Sequence, residues 1–217
     1  MREAQSVARL ILLPGTALTD ADDATLAHAL IAREPQAPRV LWQRFAPMVF
    51  RMLKRTLGPG HDLEDLAQEV FLCVFEKVRG LREPKALKAF VISVTVLTAR
   101  HELRRRWVRR WVRLSRTTDA AETEVVVTTP DTDAREALQR FYKILDRVNV
   151  NDRTVFVLRY IEGLELTEVA AAVGLSLATT KRRLTRVWSR VVLLVERDPL
   201  LRQYRPTILP QADSDQS

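Results

Sequence analysis

The chain has 217 residues, 47% of them apolar, enough to bury a core in one domain or in two. Its 35 Lys and Arg against 27 Asp and Glu leave a net charge of +8, which favours a polyanionic partner but fixes no fold. Cys73 is the single cysteine, and His28, His61 and His101 are scattered, so an intramolecular disulfide is excluded and no metal-ligand spacing is offered. No metal and no other cofactor are expected. Segment 9–13 is too short for a secretory core, and no apolar run approaches the roughly 18–20 residues of a membrane span. The expectation is a soluble, cytoplasmic protein without direct membrane insertion.

Residues 1–25 have weak periodicity and an acidic patch (Asp20, Asp22, Asp23), and they read as a loosely ordered N-terminal extension. From Leu26 the pattern turns helical: Leu30, Val40, Leu41, Phe45, Val49, Met52 and Leu53 recur at three- and four-residue spacings. Gly58-Pro59-Gly60 breaks that pattern. Asp62 then has the character of an N-cap, with Glu64 and Asp65 well placed in the first turn of a helix reaching about Val78. A further helix is expected from Lys85 or Ala86 to about Trp111, although the β-branched run 91–96 competes as a strand. Residues 114–134 carry Asp119, Glu122, Glu124, Asp131 and Asp133 and read as a flexible acidic linker, in which a short strand at 125–127 would have nothing to pair with. Helical periodicity resumes at Leu138, Phe141, Leu145 and Val148 and continues through Val155, Leu158 and Ile161. Residues 199–217, with Pro206 and Pro210, read as a helix end followed by a disordered tail. The fold class is all-α, with two small helical domains at 26–113 and 135–198.

The strongest local signal lies in 165–188. A helix-turn-helix needs two short helices crossing around a tight turn. Ala170 is small enough for close approach, Gly174 gives the turn its backbone freedom, and Ser176 can cap the second helix. Leu177, Thr180, Leu184, Val187 and Val191 fall on an inward stripe, while Thr179, Lys181, Arg182, Arg183 and Arg186 point outward. Such a basic face could be merely solvated. In register with Ala170, Gly174 and Ser176, it reads as a major-groove helix.

Two further faces differ in sign. Residues 100–116 hold eight arginines and one acid, Glu102, with Trp107 and Trp111 one helical turn apart. The arginines suit phosphates. The tryptophans are expected to pack inward, although beside arginine they would also suit stacking on single-stranded bases. On the helix from Asp62, a buried stripe (Leu63, Leu66, Val70, Val74) is flanked by Asp65, Gln68, Glu69, Leu72 and Glu76. An acidic face on a basic protein points to a protein partner rather than to DNA.

With those residues identified, 41–51 (Leu-Trp-Gln-Arg-Phe-Ala-Pro-Met-Val-Phe-Arg), 62–72 (Asp-Leu-Glu-Asp-Leu-Ala-Gln-Glu-Val-Phe-Leu) and the arginine-rich helix resemble sigma domain 2. Residues 141–195 resemble sigma domain 4. The two-domain plan is similar to that of the extracytoplasmic-function sigma factors of bacterial RNA polymerase. The resemblance implies a non-catalytic transcription initiation factor whose partners are core RNA polymerase, promoter DNA and an anti-sigma factor. It implies that Asp62, Asp65, Gln68, Glu69 and Leu72 dock on polymerase. It assigns Arg79, Lys85, Lys88, Phe90, Arg100, His101, Arg104 and Arg105 to the −10 element, where a base leaves its stack for a pocket. It assigns Ser176, Thr179, Thr180, Lys181, Arg182, Arg183 and Arg186 to the −35 duplex. Phe90, Val96 and Leu97 stand where the family often has a Trp and then an Arg-Asn pair, and Thr180 where it has a valine. The alternative from the residues is a stand-alone helix-turn-helix regulator; no phosphate loop, nucleophile elbow or paired His and carboxylate favours an enzyme.

Overall fold

A computed structural model of the protein describes residues 18–114, 132–205 and 209. Every regular element among them is helical. Helix α1 (Asp23–Ile31) opens on Asp22, whose carboxylate accepts from the Thr25 amide at 2.8 Å. Leu18 and Leu26 are buried, and Arg44 ties the start of the helix down by pairing with Asp23 at 3.1 Å. Residues 18–25 are therefore built into the first module and are not loosely ordered, because the acids there cap a helix and hold an arginine. The rest of the expected extension lies outside the described residues.

Helix α2 (Ala37–Leu57) ends at Gly58, whose φ of +82° suits a residue without a Cβ. Helix α3 (Leu63–Lys77) is capped as its sequence predicts: Asp62 accepts from the Asp65 amide at 3.2 Å. Two short 3-10 turns, Val78–Gly80 and Pro84–Ala86, lead into helix α4 (Leu87–Leu114). The β-branched run at 91–96 is helical. Val91, Val94, Thr95 and Val96 are all buried there, and the Thr95 hydroxyl donates to the Val91 carbonyl at 2.8 Å, so packing overrides local propensity. Leu41, Phe45, Val49 and Leu53 of α2, Val70 and Val74 of α3, and Leu87 and Val91 of α4 form one core. Each such side chain contributes on the order of 1.5–3 kcal/mol when fully buried.

The second module comprises α5 (Thr132–Leu145), α6 (Val150–Phe156) continuing into a π-helical turn (Val157–Ile161), α7 (Leu166–Val173), α8 (Leu177–Glu196) and α9 (Pro199–Gln203). Its core gathers Phe141, Leu145, Phe156, Leu158, Leu184, Val187 and Val191. Leu201 and Leu209 bury in the same cluster, and Asp198 caps α9 by accepting from the Leu200 amide at 3.0 Å. The helix end expected beyond 198 is thus present, and Leu201 packs it into this module. The expected acidic linker, apart from its ends, lies outside the described residues.

The two modules pack against each other. Met52, Ile92 and Val96 of the first share the apolar cluster of the second, and α4 lies against α6 and α7.

Candidate protein-docking and nucleic-acid surfaces

The acidic face is present as expected. Leu66, Ala67, Val70 and Val74 of α3 point inward, which turns Asp65, Gln68, Glu69, Leu72 and Glu76 outward along an open, shallow groove that Cys73 also lines. Leu72 is 55% exposed, an apolar centre ringed by acids. That is the form a protein-docking surface takes. Asp62 stands at the same end, with its carboxylate engaged in the cap.

The expected −10 set splits. Arg79, Lys85, Lys88, His101, Arg104 and Arg105 are exposed, whereas Phe90 packs partly against the core of the first module. Arg100 departs from the expectation that it holds DNA. It is half-buried against the second module, donating to Asn151 Oδ1 at 2.7 Å and lying 3.5 Å from the Val173 carbonyl, while its Nε is buried without a partner. Burial, followed by the neighbouring charges of Arg104 and Arg183, lowers the pKa of its guanidinium. Trp107 is 63% exposed, so it is not packed inward. Nothing is described of the Trp111 side chain. Val96 is buried and Leu97 exposed, so an apolar residue at 96 fits the contact with the second module.

The helix-turn-helix has the predicted geometry. Gly174 adopts φ +69° at the end of α7, and Ser176 Oγ accepts from the Thr179 amide at 3.3 Å. Glu168 accepts from the Glu165 amide at 2.8 Å, an ordinary helix-start role for both acids. Ser176, Lys181 and Arg182 are exposed, and Thr179 partly so. Arg183 and Arg186 both reach Asp152, at 3.4 and 3.0 Å, which holds them over α6. Two expectations fail. Thr180 is 0% exposed, and its hydroxyl donates to the Ser176 carbonyl at 3.0 Å, so it supports the helix and meets no base. Leu177, expected inward, is exposed because it sits in the first turn, beyond the reach of the core.

Sequence reasoning missed the seam between the modules. Arg153 is 2% exposed and donates through Nε to the Thr56 carbonyl at 3.0 Å and through a terminal nitrogen to the Leu57 carbonyl at 2.8 Å, while also pairing with Asp146. The Glu162 side chain, 2% exposed, pairs with Arg51 at 3.2 Å and Arg55 at 3.3 Å. The Tyr142 hydroxyl donates to the Arg55 carbonyl at 3.2 Å. The one available signal was Arg153 itself, a charge at three- and four-residue spacing from the apolar Val150 and Val157. Among the described residues, no group of His, Cys, Asp and Glu could hold a metal, and no helix is long and apolar enough to cross a membrane.

The Sigma-70 region 2 family matches residues 41–109, and the Sigma-70 region 4 family matches residues 138–189. The ECF RNA polymerase sigma factor SigE of Mycolicibacterium smegmatis is 29% identical over 172 residues, 76% of this chain. The RNA polymerase sigma factor NccH of Alcaligenes xylosoxydans is 22% identical over 180 residues, 80% of this chain. The chain spans 65% of the length of the first relative and 97% of the second. CnrH, solved in complex with the cytosolic domain of CnrY, superposes with a TM-score of 0.58 at 21% identity, covering 81% of this chain and 98% of its own. RpoE of Bartonella quintana, solved with the anti-sigma factor NepR, gives 0.52 at 20% identity, covering 74% and 97%. At those identities the two structures establish a shared fold.

Proposed function

We propose that this chain, which belongs to the sigma-70 family of RNA polymerase sigma factors in its extracytoplasmic-function form, directs core RNA polymerase to a set of promoters. The observation that carries the reading is the opposition of two exposed faces on separate modules: an acidic, apolar-centred groove on α3 and a basic, serine-capped helix α8. The first suits a basic protein surface, through Asp65, Gln68, Glu69 and Leu72, with Asp62 at its end. The second suits a DNA major groove, where Lys181 and Arg182 reach the duplex and Arg183 and Arg186 lie alongside. Arg79, Lys85, Lys88, His101, Arg104 and Arg105 are the exposed set for the −10 strand, and the exposed Trp107 would suit stacking on an unpaired base.

In this reading the chain performs no bond chemistry; the polymerase does. It works in the cytoplasm, where core polymerase and promoters are. An anti-sigma factor is a further partner, as for the NepR-bound relative. The competing reading, a stand-alone regulator, leaves the acidic groove without a role. Run-off transcription with purified core polymerase and a promoter library tests the proposal. Defined transcripts that require the chain are expected; duplex binding without any association with core polymerase would overturn it.

A further inference from the structure

The cations of α8 that face the −35 duplex in the proposed function are held in two different ways. Lys181 and Arg182, in the first two turns, are exposed and have no carboxylate partner among the described residues. Arg183 and Arg186 lie about one turn apart on the flank toward α6, and both close on Asp152. Arg186 places one terminal nitrogen 3.0 and 3.1 Å from the two carboxylate oxygens, and Arg183 lies 3.4 Å from Oδ1. The Asp152 side chain is only 14% exposed, whereas that of Arg186 is 66% exposed. An enclosed carboxylate thus holds an arginine that stands at the surface.

We propose that Asp152 sets how strongly the second module grips unselected DNA: its carboxylate holds Arg183 and Arg186 against α6 and keeps both out of the phosphate contacts, leaving Lys181 and Arg182 to meet the duplex. Non-specific binding is a sum of such contacts, and each neutralised phosphate steepens the fall of log K with log salt by about 0.9. A phosphate gains little from Arg186, because it must displace a carboxylate already in place. The displaced Asp152 would stay enclosed without its cations, and an enclosed charge that loses its partner is costly. Asp152 acts only through the two arginines, so it is a positioning residue. A weaker hold on random sequence matters because a genome offers many competing sites. Less of the chain is then drawn away from its protein partner. The inference rests on the proposed function only in taking α8 as the helix that meets duplex.

Salt titrations of the full chain on a short labelled duplex of mixed sequence test this, read by fluorescence anisotropy as the slope of log K against log salt. Asp152→Ala and the isosteric Asp152→Asn are expected to bind more tightly and to steepen the slope by about 0.9–1.8, for one or two released arginines. Asp152→Glu keeps the charge and should hold the parental slope. Loss of a carboxylate also makes the chain more positive, and a cycle with Arg186→Ala separates that effect from release of the arginines. In the parent, Arg186→Ala should change the slope little; in the Asp152→Ala chain it should flatten the slope by about 0.9. Loss of stability alone would lower the active fraction and leave the slope where it was. A slope that fails to steepen in the Ala and Asn chains, or an Arg186→Ala effect equal in both backgrounds, would overturn the proposal. Run-off transcription and Arg182→Ala on −35 duplex report on the proposed function, and their outcomes stand whatever Asp152 does.

Discussion

The Arg153 guanidinium donates to the Leu57 carbonyl at 2.8 Å, across the seam between the two modules. One side chain thereby caps a helix in a domain about a hundred residues earlier in the sequence. Helix α2 stops at Gly58 for a local reason, its left-handed backbone, and its terminal carbonyls are satisfied for a distant one.

Removing that guanidinium leaves two buried carbonyls unpaired and Asp146 without its cation. Arg153→Ala should cost about 3 kcal/mol, the range for breaking a buried charged contact. For a chain of this size the melting temperature should fall by roughly 6–12 °C. Urea denaturation of the two chains measures the difference; a change under about 1 kcal/mol would remove Arg153 from its structural role.

The α3 groove can be probed without touching the core. Asp65→Lys with Glu69→Lys changes exposed positions only and should alter stability by about 1 kcal/mol or less. Affinity for core RNA polymerase should fall at least about tenfold, because the acidic face then repels a basic partner. Pull-down or biolayer measurements against purified core polymerase check this.

Along α8, neighbouring positions should behave differently. Arg182→Ala should weaken binding of −35 duplex by about tenfold, within the 1–3 kcal/mol that an arginine–guanine pair supplies. Thr180→Val, at a buried position, should leave duplex affinity nearly unchanged. Fluorescence anisotropy of labelled duplex at one fixed salt concentration compares them. Equal losses at both positions would contradict the orientation of the helix.

His61 makes stability depend on pH. Burial, reinforced by the adjacent Arg106, lowers its pKa from 6.5 to about 4. Arg106 donates to its Nε2, and Nδ1 faces Glu102 at 3.9 Å. The unfolded chain therefore takes up a proton that the folded chain resists. Stability contributed by neutral His61 is fully present above about pH 6.5 and declines as the pH falls toward 4. His61→Asn should flatten that part of the profile in denaturant titrations between pH 7 and 4. An unchanged slope would mean that the ring is protonated in the fold.

What could be read along the chain was whatever short-range chemistry controls. Asp62 and Ser176 cap helices because an oxygen meets an amide three residues on, and Gly174 turns left-handed because it lacks a Cβ. The stripes of α3 and α8 follow from helical period, which is why the acidic groove and the basic helix were both anticipated. Where burial from elsewhere in the chain intervenes, local reading fails. The β-branched run of α4 is helical because it is packed on two sides, Leu201 joins the core because it packs between α5 and α8, and Trp107 is exposed because none of the described elements covers it. Arg100 looked like one more phosphate-binding arginine; only tertiary structure gives it Asn151 as a partner. Periodicity and capping are properties of neighbours within a turn or two, so a sequence carries them. A contact between Arg153 and the end of α2 depends on how two finished modules meet, and no local pattern records that.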